Sequence, residues 1–147
     1  WVAFTPANPN TGCLRCIPGS HLTNTEFDNE PNPDNLLIRG QTTKNVDETV
    51  SEFMPLEPGQ FSIHHECTVH GSEPNQSHDR RIGMSIHYAT PSTKQTKWHG
   101  KGKPVASLLR GKDRHGNWDY EKLTDVDYDP VIAAHMVKVR EEFLGRR

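Results

Sequence analysis

Residues 82–89 read Ile82-Gly83-Met84-Ser85-Ile86-His87-Tyr88-Ala89, and this stretch decides the fold class. Its larger apolar side chains fall on every second residue, which is the period of a strand with one buried face. Other short apolar runs, separated by turn-forming residues, occur at residues 1–5, 13–17, 36–39, 50–54 and 61–69. Short strands with long polar connections predict a mainly β fold of the sandwich or jelly-roll kind.

The C-terminal region has a different pattern of polar and apolar residues. Its first part is polar, and a short run at residues 105–109 predicts one more strand. Asp129 and Pro130 are typical of a helix N-cap and first turn, and apolar residues follow at helical spacing. We therefore predict a domain at residues 1–90 and an extension at residues 91–147, which ends in a helix at about residues 130–145.

Length and composition exclude several classes of protein. The chain has 147 residues, which suits one domain, and 32% of them are hydrophobic. No apolar run is long enough to cross a membrane. The 17 basic and 19 acidic residues give a net charge of −2, which argues against a nucleic-acid partner. Three cysteines are too few for a disulfide scaffold, so a reducing, cytoplasmic location is expected.

The stretch His64-His65-Glu66-Cys67-Thr68-Val69-His70 is the densest in reactive side chains. In a continuous strand, His64, Glu66 and His70 share a face, and two imidazoles with a carboxylate can hold iron. A strand of this length separates His64 from His70 by about 20 Å, which is too far for one ion. The spacing therefore favours one metal ligand from this stretch, and the alternative is a row of histidines that bind no metal.

Arg81 opens the strand at residues 82–89, after a loop rich in turn-forming residues. We expect this loop to return the chain as a hairpin, which would place His70 and Arg81 in one cavity. The planar guanidinium of an inward-facing arginine suits a carboxylate held by two hydrogen bonds. The alternative is a solvated surface arginine.

Cys13 and Cys16 form a C-x-x-C pair, but the sequence holds no second pair to complete a zinc site. On a strand the two side chains face opposite sides, so we expect small, buried thiols. Neighbouring Ser, His and Asp residues at 20–21 and 77–79 do not make a triad, whose members come from separate elements.

Taken in order, three blocks of the sequence resemble the phytanoyl-CoA dioxygenase family of non-haem iron oxygenases. The first block contains Trp1-Val2-Ala3, Asn10-Thr11-Gly12-Cys13-Leu14 and Ile17-Pro18-Gly19-Ser20-His21. The second contains Pro58-Gly59-Gln60, His70-Gly71-Ser72, Asn75, Ser77 and Arg81, and the third is the tail at residues 109–117. The second block is the most specific, because its residue types and its His-to-Arg spacing agree together.

This resemblance implies a double-stranded β-helix, a cupin-like jelly roll, that holds Fe(II) and uses 2-oxoglutarate as co-substrate. His70 would be the distal iron ligand, and Arg81 would bind the distal carboxylate of 2-oxoglutarate. Ser72 and Trp1 would line the co-substrate pocket. The implied reaction is hydroxylation of a small organic substrate, with release of succinate and CO2.

The family's His-x-Asp ligand pair lies upstream of the segment that matches Trp1, and this sequence contains no H-x-D. Because the chain also begins inside an apolar run, we expect a C-terminal part of a longer oxygenase, inactive by itself. Three alternatives stay open: a halogenating relative, a cupin-like metal protein that uses His64 or His65 with Glu66 and His70, and a non-catalytic jelly-roll module.

Overall fold

The computed structural model describes residues 1–23, 26–28, 42–96, 98, 100–121 and 124–143. The strand predicted at residues 36–39 lies outside this described part. The chain divides into two compact units, Trp1–Ile86 and His87–Arg147. Among the described residues, no helix is long and apolar enough to cross a membrane.

Among the described residues, short strands are the most frequent elements, and a helix follows them. The strands are β1 (Val2–Ala3), β2 (Leu14–Cys16), β3 (Phe27–Asp28), β4 (Thr42–Thr43), β5 (Glu52–Phe53), β6 (His70–Ser72), β7 (Gly83–Met84), β8 (Val105–Ala106) and β9 (Asp119–Tyr120). Short 3-10 turns occur at Pro9–Thr11, Ser20–Leu22 and Glu48–Val50, and the helix is α1 (Pro130–Phe143). The predicted mainly β class with a C-terminal helix is confirmed.

Two groups of strands build the part of the first unit that matters for function. In the first group, β1 pairs antiparallel with β7, and Val2 also bridges to Phe61 on the other side. In the second, β2 lies between β5 and β6, antiparallel to both. The backbones of Ala7 and Leu56 add a further bridge, with two N–H···O bonds of 2.8 Å.

Among the described residues of this unit, the buried apolar side chains are all small. Ala3, Ala7 and Cys13 are 0–2% exposed, and Trp1 and Leu56 pack against them. Small residues let neighbouring backbones approach closely, so this core is held more by backbone hydrogen bonds than by large apolar surfaces.

Gly12 shows why a glycine stands in the first block of the sequence. Its φ is +74°, and a Cβ added there would lie 2.5 Å from the carbonyl oxygen of Glu73. The backbone N–H of Gln76 also donates to the carbonyl of Asn10 at 2.9 Å. The loop after β6 therefore lies directly on this turn, and only glycine fits both the conformation and the space.

The strand predicted at residues 61–69 is wrong over most of its length. Phe61 makes a single bridge, and a turn follows in which the Thr68 N–H donates to the His65 carbonyl at 2.9 Å. The strand β6 begins only at His70. In this turn the His65 side chain accepts the backbone N–H of Cys67, two residues further on. This local hydrogen bond competes with strand pairing.

The strand predicted at residues 82–89 is also shorter than expected, because only Gly83 and Met84 pair with β1. The side chains of Met84 and Ile86 are 44% and 45% exposed, so the predicted half-buried face is not covered within this unit. The predicted hairpin is wrong as well. β6 pairs with β2 while β7 pairs with β1, so the loop at residues 73–82 carries the chain from one group of strands to the other.

In the second unit, β8 and β9 pair in parallel and α1 follows. The predicted N-cap is confirmed, because the Asp129 carboxylate accepts the N–H of Val131 at 2.8 Å. This hydrogen bond, followed by one from the Thr124 hydroxyl, holds the pKa of Asp129 below its ordinary value.

Candidate functional site

His70, the predicted iron ligand, opens β6, and its ring is fixed by its own backbone. The Nδ1 atom lies 2.7 Å from the carbonyl oxygen of Thr68. A carbonyl oxygen can only accept, so Nδ1 is the nitrogen that carries the hydrogen and Nε2 keeps its lone pair. Metal-binding histidines commonly show this arrangement, in which one nitrogen donates to a carbonyl and the other faces the metal.

The neighbouring histidines lie closer to His70 than a continuous strand allows. Because of the turn at residues 65–68, the ring centres of His64 and His70 are 5.0 Å apart, and the expected 20 Å separation is wrong. His65 points elsewhere: its ring lies 5.6 Å from that of His21, and its Nδ1 accepts the Cys67 N–H at 3.1 Å. In that tautomer its Nε2 carries the hydrogen and is not available to a metal.

A self-sufficient metal centre of the cupin-like kind needs at least three ligands in one place. Within the part of the chain that the structure describes, no three His, Cys, Asp or Glu side chains come together in this way. A metal at His70 would therefore need ligands from outside the described residues.

Arg81, the predicted co-substrate anchor, is half-buried just before β7. Its guanidinium carbon lies 5.4 Å from the centre of the Trp1 ring, within the range of a cation–π contact. The indole of Trp1 lies over Gly83, where an added Cβ would come within 2.0 Å of the ring. Of the ion pairs among the described residues, none involves Arg81.

Arg81 is linked electrostatically to the group of strands that carries His70. Burial raises the pKa of the Cys13 thiol, and the positive charge of Arg81 partly opposes this rise. Cys13 directly precedes β2, which pairs with β6. The charge of the guanidinium therefore reaches the residue that precedes β2.

The face of β6 that carries His70 also carries Ser72, two residues further on. Across the sheet, Cys16 is the partner of His70 and Leu14 is the partner of Ser72. Cys16 is half-buried and Cys13 is fully buried. The two thiols therefore occupy different environments, and Cys16 is a direct neighbour of the predicted metal ligand.

Two groups beside His70 were not predicted from the sequence. The Thr68 carbonyl belongs to the main chain, so its role could not be predicted from the residue type. Ser20 lies in the Pro18-Gly19-Ser20-His21 stretch and was given no role in the predicted site, yet its hydroxyl accepts the Val69 N–H at 2.9 Å, one residue before His70. That stretch was the available signal.

Comparison with known proteins assigns the family. The family model described as Phytanoyl-CoA dioxygenase (PhyH) matches residues 1–83, more than half of the chain. A Phytanoyl-CoA dioxygenase domain-containing protein 1 homolog from Caenorhabditis elegans is 30% identical over 67% of this chain and 35% of its own length. A probable alpha-ketoglutarate-dependent hypophosphite dioxygenase from Stutzerimonas stutzeri is 29% identical over 60% of this chain and 32% of its own length.

A solved structure agrees with these relatives. The non-heme monooxygenase ThoJ in its apo form superposes with a TM-score of 0.78 at 27% identity, over 98% of this chain and 50% of that one. The chain thus spans half of this neighbour and about a third of the curated relatives. The match of residues 1–83 includes both His70 and Arg81. The chain belongs to the phytanoyl-CoA dioxygenase family.

Proposed function

We propose that this chain is part of an Fe(II)- and 2-oxoglutarate-dependent dioxygenase that hydroxylates a small organic substrate. The observation that carries the proposal is the orientation of His70, whose Nδ1 is held by the Thr68 carbonyl while Nε2 is left to bind a metal. Family membership supports an oxygenase of this type. In the double-stranded β-helix that this resemblance implies, the two groups of strands, β1–β7 and β5–β2–β6, would form opposite walls.

The one candidate ligand that the described part of this chain supplies, the imidazole of His70, fits iron. A neutral imidazole suits Fe(II), and its orientation is set before the metal binds. Since the described residues bring no second and third ligand to His70, the His-x-Asp pair that the family resemblance implies would complete the site. A halogenating relative would differ at that pair, and no residue of this chain favours it over hydroxylation.

Arg81 would bind the carboxylate of 2-oxoglutarate that lies away from the metal. Its guanidinium presents two parallel N–H groups, which match the two oxygens of a carboxylate. The Trp1 ring below it limits the side chain to one region, so less conformational freedom is lost on binding. Ser72 and Trp1 would line the co-substrate pocket.

Bound iron would supply the site for dioxygen activation, with 2-oxoglutarate as the source of two electrons. One oxygen atom would enter succinate, CO2 would leave, and the other oxygen would form the hydroxyl of the product. The protein residues have a different task. His70 holds its lone pair in place, and Arg81 fixes the far end of the co-substrate, so that the reacting groups meet in one geometry.

The test is succinate formation and metal binding in the complete protein. His70→Ala should abolish both, whereas His78→Ala, which removes an exposed histidine, should change neither. Arg81→Ala removes two charge-assisted hydrogen bonds and should raise the KM for 2-oxoglutarate about 100-fold. Arg80→Ala is the matched control, because the Arg80 side chain is exposed. Unchanged turnover at low 2-oxoglutarate in Arg81→Ala would disprove the assignment of the arginine.

A further inference from the structure

Ser20 is a buried serine whose hydroxyl group joins two segments far apart in sequence. The residue is 9% exposed, and its Oγ donates to the carbonyl of Ile17 at 2.7 Å. The same oxygen accepts the N–H of Val69 at 2.9 Å. The backbone N–H of Ile17 also donates to the Val69 carbonyl at 2.9 Å. Both the N–H and the carbonyl of Val69 are therefore hydrogen-bonded to the Ile17–Ser20 segment.

The N–H of Val69 and the carbonyl of Thr68 belong to the same peptide group. That group is planar and trans, so its N–H and its C=O point in opposite directions. The N–H is held by Ser20, and the C=O accepts from Nδ1 of His70. When the hydroxyl fixes one end of this plane, it also fixes the direction of the oxygen at the other end.

The hydrogen bonds run in one direction through this peptide. The His70 ring donates to Thr68, the Val69 N–H of the same peptide donates to Ser20, and Ser20 donates to Ile17. Hydrogen bonds arranged head to tail polarise one another, so each bond strengthens the next. The carbonyl that meets His70 is therefore a better acceptor than an isolated one.

We propose that Ser20 is a positioning residue for His70, which sets the orientation and the tautomer of the ring through the Thr68–Val69 peptide. This proposal rests on the proposed function insofar as His70 binds the metal. Without the Ser20 hydroxyl, the peptide can rotate and the ring can carry its hydrogen on Nε2, the nitrogen that the metal needs. Groups that orient a metal-binding histidine typically change metal affinity 10- to 100-fold.

The first measurement is Co(II) affinity of the complete protein, with Co(II) as a probe that does not oxidise during the titration. Ser20→Ala should weaken binding about tenfold. The matched control is Thr11→Val, which also removes a buried hydroxyl that bridges a turn, from the Asn8 N–H to the Pro6 carbonyl. This control should lose comparable stability in urea and keep its Co(II) affinity.

The second measurement does not depend on metal. In the metal-free protein above pH 8, the ¹⁵N shifts of His70 report which ring nitrogen carries the hydrogen. Wild type and Thr11→Val should show the hydrogen on Nδ1, and Ser20→Ala should show a substantial fraction on Nε2. Ser20→Cys, which keeps a weak donor and acceptor, should fall between them and covers the case in which Ser20→Ala does not fold.

An unchanged His70 tautomer in the Ser20 variants, or equal loss of affinity in Ser20→Ala and Thr11→Val, would overturn the proposal. The proposed function fails by a different result, namely wild-type Co(II) affinity in His70→Ala. In that case the tautomer measurement still decides whether Ser20 orients the ring.

Discussion

The guanidinium carbon of Arg81 lies 5.4 Å from the centre of the Trp1 ring, and this contact joins the two ends of the first unit's sequence. Trp1 is held at its backbone, since its carbonyl accepts the Ser62 N–H at 2.9 Å and its backbone nitrogen donates to the Ser62 carbonyl at 2.8 Å. The ring itself rests on the backbone of Gly83. The position of the arginine therefore depends on a residue that has no side chain.

Gly83→Ala is expected to disturb 2-oxoglutarate binding although position 83 carries no reactive group. The new Cβ would lie 2.0 Å from an atom of the Trp1 ring, so the indole must move and the guanidinium loses its support. A lost cation–π contact of about 1 kcal/mol corresponds to about a fivefold rise in the KM for 2-oxoglutarate. Steady-state kinetics of the complete protein at varied 2-oxoglutarate would measure this change.

Gly71→Ala is the control for this prediction. It also places an alanine in a strand, but its Cβ would meet no atom within 4 Å. The KM for 2-oxoglutarate should stay within twofold of wild type. Equal effects of the two substitutions would show that strand disturbance, and not the displaced indole, is responsible.

Arg15 holds together the sheet that presents His70. Its guanidinium pairs with the carboxylate of Glu73 at 2.7 Å and with that of Glu48, and these carboxylates follow β6 and precede β5. Arg15→Met keeps the apolar stem and removes the charge, which leaves two carboxylates close together. Because both carboxylates are well exposed, we expect a loss of about 1 kcal/mol in the free energy of unfolding by urea.

Salt separates this charge effect from packing. At 1 M NaCl the difference between Arg15→Met and wild type should shrink, because screening weakens exposed ion pairs. Arg80→Met serves as a control, since Arg80 is exposed and takes part in neither of these ion pairs. A loss of stability that is independent of salt would mean that Arg15 acts through its apolar stem.

The sequence predicted the class of the fold better than the extent of its strands. Alternation at residues 82–89 correctly indicates β structure, but it cannot show how far a neighbour strand extends, and β1 covers only Gly83 and Met84. The turn before His70 escaped prediction because His65 caps its own backbone, an effect that apolar periodicity does not register.

For the candidate site, too, some parts could be predicted from the sequence and others could not. His70 and Arg81 were predicted from residue types, spacing and a family resemblance, which are all read from the sequence. The groups that orient them, the Thr68 carbonyl and the Gly83 backbone, act through atoms that every residue has, or through a missing side chain. Only coordinates reveal such contributions.

The cap of α1 gives the protein a pH-dependent element at low pH. Hydrogen bonds from Val131, Thr124 and Ile132 hold the pKa of Asp129 below its ordinary value, so the folded state favours the carboxylate. The unfolded chain takes up the proton first, at a pKa of about 3.9. The cap's contribution is therefore complete above that value and is lost as pH falls through the folded pKa.

Helix content measured by circular dichroism should thus fall as the pH drops below about 4 in the wild type. Asp129→Asn keeps an acceptor oxygen and cannot titrate, so its loss over this range should be smaller. Identical acid profiles for the two proteins would show that the cap does not control this transition.

Cys16 offers a chemical test of where the metal ligand lies. It is the cross-strand partner of His70, and such partners have Cβ atoms about 5 Å apart on the same face of the sheet. N-ethylmaleimide attached to Cys16 would fill the space beside the imidazole, so labelled protein should lose Co(II) binding.

Cys67 is exposed and reacts without this consequence, while Cys13 is buried and its raised pKa leaves little thiolate. Cys16→Ala should therefore keep Co(II) binding after labelling and Cys67→Ala should not. If labelled Cys16→Ala loses Co(II) binding as the wild type does, the label on Cys16 is not what blocks the metal. In that case the metal does not bind on the face that His70 shares with Cys16.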